Sequence, residues 1–345
     1  MLCQRVGPLL DECRDIARRA GEPGLDSWCR IMRQELAWHA GDWENLEATY
    51  VSLAAEYPDY SFLETERSLV LAGLAEARGQ WNQARDMYTA VQRASDYGPC
   101  VCKAAAGMGR VELAQGNPQA AWAATTPAID ILRGNSTWYR APAVIPVAVE
   151  AALATNRPEQ ATQLTTELQH STESRDTPAA TTHLHLCHAL LTTATDPTTA
   201  REHFHHARAA FQAIGRPYPT TQAAEHAART LIPTNPNQAA QELTHTADTY
   251  THLGATHDAA RCHHTLRDLG LPHPTPRGRR VYGQQLSPRE QQVAQLLATG
   301  ATNKDIARAL YLSPRTAEHH VARVLKRLGI TNRNAAHHAL TEHPR

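Results

Sequence analysis

Short helix-breaking segments recur along most of the chain at intervals of 37 to 40 residues. They begin at Gly41, Gly79, Gly116, Asn156, Thr195 and Thr234, and an alanine stands five residues after each of the last five, at Ala84, Ala121, Ala161, Ala200 and Ala239. Glycine or proline at a break ends one helix, and a small alanine allows the next helix to pack closely. The spacing therefore predicts an array of paired helices, each unit being a helix, a turn, a second helix and a second turn.

A second series of glycines lies half a period further on, at Gly215 and Gly254. Before Gly215, four apolar residues follow one another at steps of 3, 4 and 3, namely Phe204, Ala207, Phe211 and Ile214. This spacing is typical of the buried face of a half-exposed helix. One helix pair cannot bury two apolar stripes alone, whereas stacked neighbours can, so we expect an all-α, tetratricopeptide-like helical-repeat architecture. The alternative is a chance coincidence of Gly, Pro and Ala in an ordinary helical protein.

The pattern changes after residue 270. Three prolines and a glycine among residues 271–280 disfavour a helix, and three arginines add positive charge there. We interpret residues 271–285 as a basic linker. It separates a repeat domain, residues 1–270, from a C-terminal domain, residues 286–345.

The C-terminal segment has explicit helix boundaries. Capping residues begin three expected helices and glycines end two of them, with Ser287, Thr302 and Ser313 as the caps and Gly300 and Gly329 as the stops. Ser287 with Glu290 predicts a capping box, and a fourth helix is expected from about Arg333 to Leu340. The inward apolar residues are Val293, Leu296, Leu297, Ile306, Ala307, Leu310, Ala317, Val321, Val324 and Leu328. Two helices joined by a turn at Leu310–Leu312 predict a helix-turn-helix within this four-helix domain.

The outer face of the third expected helix carries side chains suited to DNA. It holds Arg315, Glu318, His319, Ala322, Arg323 and Lys326. Arginine can bind phosphate or guanine, a carboxylate can accept a hydrogen bond from cytosine N4, and alanine permits close approach to a groove. An ordinary solvated amphipathic helix is the alternative interpretation.

The charge distribution favours the DNA interpretation. The 34 basic and 34 acidic residues sum to zero, but they are unevenly spread. Residues 277–345 carry 12 Lys or Arg against 4 Asp or Glu, a net charge of +8, and residues 1–276 carry −8. A basic end on an acidic chain favours nucleic acid as the partner of that end.

Residues 286–333 resemble the C-terminal DNA-binding domain of LuxR/FixJ (NarL/GerE)-type transcriptional regulators. The matching residues are Leu286, Ser287, Arg289, Glu290, Gly300, Thr302, Asn303, Asp305, Ile306, Ala307, Ser313, Thr316, His320, Arg327 and Leu328. More loosely, residues from about 25 to 270 resemble the tetratricopeptide-like superhelical region of the large MalT-like LuxR regulators.

The resemblance implies a mechanism. The third helix would enter the major groove, and the fourth would help to pair two domains as a homodimer on promoter DNA. By position, the residues facing base edges or nearby phosphates would be Glu318, His319, Ala322 and Arg323. Those contacting the DNA backbone would be Asn303, Lys304, Arg315, Thr316 and Lys326. RNA polymerase and an unknown effector or protein on the repeat domain are the further partners expected of a cytoplasmic, nucleoid-associated regulator.

Nothing in the sequence indicates an enzyme, and we expect no catalytic residues and no cofactor. The three lysines, Lys103, Lys304 and Lys326, do not follow a glycine, which excludes a Walker A P-loop. Cys100 and Cys102 lack the spacing of a redox pair and are expected in the core. No apolar run approaches the roughly 18 residues of a membrane span.

Histidine is unusually dense in one part of the chain. Fourteen of the 20 histidines lie between His170 and His273, and helical spacing pairs His183 with Cys187, His185 with His188, and His203 with His206. Such pairs can hold a metal, but neither spacing nor order defines which pair would meet which. We therefore interpret the histidines as a polar helix face and expect no metal site.

Three alternatives to a LuxR-type regulator stay open. A helical-repeat scaffold could bind proteins while its DNA contact is vestigial. A sigma-like factor ends in a similar helix-turn-helix but needs an upstream region rich in aromatic and basic residues, whereas residues 1–276 are acidic. A metal-responsive regulator would use the histidine pairs.

Overall fold

The computed structural model describes residues 2–58, 60–135, 142–173, 176–270 and 286–330. Within these ranges the chain forms seventeen α-helices and no strand, as the repeat pattern predicts. The helices are α1 (Leu2–Ala20), α2 (Pro23–Ala40), α3 (Leu46–Glu56), α4 (Ser61–Ala77), α5 (Trp81–Ala94), α6 (Gly98–Ala114), α7 (Pro118–Asn135), α8 (Val144–Ala154), α9 (Pro158–Thr172), α10 (Pro178–Thr192), α11 (Pro197–Ala213), α12 (Pro217–Thr230), α13 (Pro236–Leu253), α14 (Thr256–Asp268), α15 (Pro288–Ala298), α16 (Asn303–Ala309) and α17 (Pro314–Leu328).

The predicted helix breakers use two different devices. Gly41, Gly79, Gly116 and Asn156 adopt left-handed backbone with φ of 81°, 75°, 77° and 59° within two residues of the ends of α2, α4, α6 and α8. That conformation ends a helix, and asparagine is the residue other than glycine that tolerates it best. The breakers at Thr195 and Thr234 act on the following helix instead. Asp196 accepts hydrogen bonds from the backbone N–H groups of Thr198 and Thr199, and the side-chain oxygen of Asn235 accepts from the N–H of Gln238.

The alanines that follow the breaks are completely buried. The side chains of Ala84, Ala121, Ala161, Ala200 and Ala239 are each 0% exposed. From α6 to α12 each helix packs against the next, and α8 also contacts α6 and α10. The stripe formed by Phe204, Ala207, Phe211 and Ile214 is buried as well. The predicted helical repeat is therefore confirmed.

The contacts divide the chain into two compact units. One comprises Met1–Leu74 and Ala84–Glu242, and the other comprises Ala75–Gln83 and Leu243–Arg345. Domain boundaries at residues 270 and 286 stay a prediction, because the expected linker, residues 271–285, lies outside the described residues. The fourth C-terminal helix, expected over residues 333–340, lies outside them too. Among the described helices, none combines the length and apolar character needed to cross a membrane.

Two glycines in α6 mark a close approach between helices. Gly107 and Gly109 lie in the buried part of α6, so this glycine pair is helical packing and not a nucleotide-binding loop. A methyl group on Gly107 would overlap the ring carbons of Tyr88, which lies on α5.

Cys100 and Cys102 are also buried in α6, and burial raises the pKa of these thiols to about 12 and about 11. The burial of both cysteines agrees with the expected core role.

We expect Gly107→Ala to destabilise the repeat region. The overlap with Tyr88 costs about 1–3 kcal/mol, and the better helix propensity of alanine returns up to about 1 kcal/mol. The urea midpoint of the full chain should therefore fall. Gly24→Ala is the matched control, because no heavy atom lies within 4 Å of a methyl group at that helical position. Equal midpoints for the two variants would show that Tyr88 moves aside without cost.

Candidate nucleic-acid interface

Three short helices, α15, α16 and α17, form the C-terminal part of the second unit. Each begins at a predicted cap. The backbone N–H of Ser287 donates to Glu290 at 2.9 Å, and that of Thr302 donates to Asp305 at 2.8 Å, so both helices begin with capping boxes. Ser313 accepts from the N–H of Thr316 at 3.1 Å at the start of α17. These local bonds satisfy backbone donors that have no partner within a helix and thereby fix where each helix starts.

The predicted inward residues form one core between the three helices. Val293, Leu296, Leu297, Ile306, Ala307, Leu310, Ala317, Val321 and Val324 are all buried, and Leu328 packs against them at the edge. Gly329 ends α17 with a left-handed backbone, φ 69°. Because this core holds α16 and α17 on the same set of side chains, their outer surfaces are presented in a fixed relation.

The turn between α16 and α17 is stabilised by side chains from two other helices. Tyr311 lies at its centre with φ 50°, a conformation that is uncommon for an aromatic residue. The carbonyl of Leu310 accepts a hydrogen bond from the Arg289 guanidinium at 2.7 Å, and the carbonyl of Tyr311 accepts one from Arg267 at 3.2 Å. Burial, followed by the charge of Arg267, lowers the pKa of Arg289 to about 10, so it keeps its charge at neutral pH.

Helix α14 supplies further contacts to the same turn. The His257 ring donates through Nδ1 to the carbonyl of Ala309 at 2.7 Å and stacks on the Tyr311 ring with centroids 5.3 Å apart. The centroid of the His264 ring lies 5.0 Å from that of the Tyr311 ring. Sequence reasoning missed this support, because His257 and His264 belong to the repeat pattern and nothing local links them to a turn some fifty residues later.

An ion pair connects the buried carboxylate of Glu290, at the start of α15, to Arg327 at the end of α17. Arg327 donates to Glu290 at 2.6 Å, and the Glu290 side chain is 5% exposed. Burial alone would raise the pKa of Glu290, but the hydrogen bonds from Ser287 and the charge of Arg327 outweigh it and hold that pKa below its ordinary value. The carboxylate therefore serves both the capping box and the packing of α17.

The predicted contact residues lie mainly on the exposed surface of α16 and α17. Seven are exposed, namely Lys304, Arg315, Glu318, His319, Ala322, Arg323 and Lys326, while Asn303 and Thr316 are half-buried. Arg308 on α16 is a further exposed cation that sequence reasoning did not single out. His320 is half-buried, and burial with the charges of Arg289 and Arg323 lowers its pKa. Whether the nine residues touch DNA stays a prediction.

Comparison with known proteins agrees with this arrangement. Residues 284–340 match the family described as bacterial regulatory proteins, luxR family. Three HTH-type transcriptional regulators, one from Mycobacterium bovis and two from Mycobacterium tuberculosis strains, are 44% identical over 48 residues. That stretch is 14% of this chain and 5% of each relative, so the chain spans only a small part of the relatives it matches. Residues 284–340 thus belong to a LuxR-family helix-turn-helix domain.

We expect Glu290→Gln to weaken the helix-turn-helix domain at neutral pH. Glutamine keeps the cap bond to Ser287 but loses the charge paired with Arg327, a loss of about 1.5–3 kcal/mol. Because the folded-state pKa of Glu290 is depressed, the wild-type advantage is complete above the unfolded pKa of about 4.3 and is lost as the pH falls through the lower, folded-state value.

Urea unfolding of the full chain at pH 7, 5 and 4, followed by circular dichroism, measures this effect. The gap between wild type and Glu290→Gln should be equal at pH 7 and 5 and smaller at the lowest pH. Glu318→Gln, which removes an exposed carboxylate from α17, should unfold like the wild type throughout. A Glu290→Gln variant as stable as the wild type at pH 7 would contradict the ion-pair assignment.

Proposed function

We propose that this chain binds double-stranded promoter DNA as a homodimer by placing α17 in the major groove. One observation carries the proposal. The side chains on the solvent face of α17 are exposed together, and they sit on a capped three-helix core that belongs to a LuxR-family domain. A helix presented rigidly by such a core is the usual reader of base edges in a helix-turn-helix.

We expect four residues of α17 to contact the base edges. Arg323 can donate two hydrogen bonds to guanine, Glu318 can accept from cytosine N4, and Ala322 can lie against a thymine methyl group. His319 lies beside Glu318 and can donate or accept. All four are exposed, so no rearrangement of the domain core is needed for them to meet a groove.

Backbone contacts set the register of the domain on DNA. Lys304, Arg315 and Lys326 supply charge for phosphates, while Asn303 and Thr316 supply polar groups at the starts of α16 and α17. The described part of the domain, residues 286–330, holds seven Lys or Arg against three Asp or Glu. This excess supports an affinity that is driven by phosphate contacts and falls with salt.

The repeat region would have the regulatory role. It would receive an effector or a partner protein, and RNA polymerase would be the machinery that the bound regulator acts on. Such a protein works in the cytoplasm, at the nucleoid. The division into a repeat domain of residues 1–270, a basic linker of residues 271–285 and a DNA-binding domain of residues 286–345 belongs to this proposal, as does the absence of an enzymatic activity.

Selection from a random duplex library by the full chain tests the base-reading role. We expect a two-fold-symmetric site to be enriched, which also tests the dimer. Arg323→Ala should relax the selected sequence at one position of each half-site and cost about 1–3 kcal/mol for each half-site of the best site. Enrichment of no sequence at all would favour a protein-binding scaffold, and binding only in the presence of core polymerase would favour a sigma-like factor.

Arg315→Ala tests the phosphate role. Affinity for the selected duplex and for duplexes of other sequence is measured by fluorescence anisotropy over a range of salt concentrations. The variant should lose affinity by a similar factor for every duplex. The slope of log affinity against log salt should fall by about 1.8, because each protomer of the bound dimer neutralises one phosphate fewer. Arg208→Ala, which removes an exposed arginine from α11, is the control and should leave affinity and slope unchanged. If Arg315→Ala behaves like this control, the proposed orientation of α17 is wrong.

A further inference from the structure

Two helices of the repeat region bring their histidine pairs together. His185 and His188 lie on α10, and His203 and His206 lie on α11, each pair three residues apart. The two helices pack directly against each other. One ring nitrogen from each of His185, His203 and His206 lies within 4.8 Å of the others. We interpreted these residues as a polar helix face, but the packing of α10 on α11 makes them one cluster.

His188 completes a group of four imidazoles. Its ring stacks on that of His203, with centroids 5.3 Å apart and an angle of 28° between the planes. The His185 and His206 rings are also 5.3 Å apart. Burial lowers the pKa of His185 and of His188, and the neighbouring imidazoles add to the effect. A neutral imidazole is the form that binds metal ions.

Two ring nitrogens of the cluster are buried without a hydrogen-bond partner among the described residues. They are Nδ1 of His185 and Nδ1 of His203. Leaving a buried polar atom without a partner destabilises the folded state, and folded proteins seldom leave such atoms unexplained. A ligand that accepts nitrogen lone pairs would satisfy atoms of this kind, because an imidazole nitrogen without a proton has no hydrogen to donate.

We propose that His185, His203 and His206 bind a divalent transition-metal ion such as Zn²⁺, with His188 or a water molecule as the fourth ligand. Imidazole ligands favour zinc, copper and nickel over magnesium and calcium. Tetrahedral zinc with bonds of about 2.0–2.1 Å needs ligand nitrogens about 3.3 Å apart. The nitrogens of the cluster approach that separation through rotation of side chains, since His206 is exposed and His185 and His203 are only half-buried.

The other candidate ligand pair of α10, His183 with Cys187, does not contribute. His183 is buried, its Nδ1 donates to the carbonyl of Ala179 at 2.6 Å, and its ring meets Phe211 edge to face. Cys187 is completely buried, and burial raises the pKa of its thiol far above the ordinary value. The site therefore rests on nitrogen ligands alone, and its existence does not depend on the proposed DNA-binding function.

Zinc titration of the full chain, without an affinity tag and in competition with a chromophoric chelator, tests the site. We expect one tight equivalent of Zn²⁺ for each chain, and weaker binding as the pH falls because protons compete for the imidazoles. Substituted Co²⁺ should give the intense visible absorption of a tetrahedral complex. Zinc should also raise the thermal midpoint of the repeat region, because it binds only where α10 and α11 are packed.

Single variants identify the ligands. Loss of an outer-shell partner already costs about 10–100-fold in metal affinity, so His203→Ala and His206→Ala should each weaken zinc binding by at least about tenfold. Both should also lose the cobalt spectrum. His205→Ala is the matched control, because it removes an imidazole from the same helix but outside the cluster, and it should bind like the wild type.

The proposal is overturned if the wild type binds no tight equivalent of zinc, or if His206→Ala binds as tightly as His205→Ala. Because His206 is exposed, its replacement leaves the fold intact, and His206→Ala decides the question even if His203→Ala unfolds. Unchanged circular dichroism and thermal midpoint of the metal-free variants confirm that comparison.

Discussion

Close approach between neighbouring helices is the constraint on which the repeat region depends. Five alanines near the starts of alternate helices, from α5 to α13, have no exposed surface, and Gly107 leaves no room for a methyl group beside Tyr88. With the backbones this close, larger residues can fill only the layer between them. Phe204 and Phe211 do so, and each buried ring contributes about 1.5–3 kcal/mol. No helix pair alone offers such a layer, so each repeat is stable only against its neighbours.

The helix-turn-helix depends on a different kind of contact. Helix α16 has seven residues, which is too short to be stable alone, and its last carbonyl groups have no donor within the helix. The carbonyl of Ala309, its last residue, and the carbonyls of Leu310 and Tyr311 in the following turn accept hydrogen bonds from His257, Arg289 and Arg267 respectively. These bonds fix the turn that sets the angle between α16 and α17. Helix α17 is thus oriented partly by α14, a helix of the repeat pattern.

Local signals could be predicted from the sequence, and long-range pairings could not. The caps at Ser287, Thr302 and Ser313 act within three residues, and the apolar stripes follow helical spacing, so helix boundaries and the exposed face of α17 were predictable. The support of the turn at Tyr311 by α14 was not, because it joins His257 and Arg267 to backbone carbonyls more than forty residues later. At Thr195 the break itself was predictable but its device was not, since the cap of Asp196 takes the place of a left-handed residue.

Histidine density shows the same limit at the level of composition. The fourteen histidines between residues 170 and 273 share a high density in the sequence but have no common structural role. In the structure His183 is packed in the core, His257 supports a turn, and His185 meets His203 across two helices. Spacing of three residues keeps a pair on one face of a helix, but the turn between α10 and α11 decides whether two such faces meet. That turn sets the register of the two helices, and the buried alanines allow the helices to pack closely. Register and close packing together decide which histidine pairs meet.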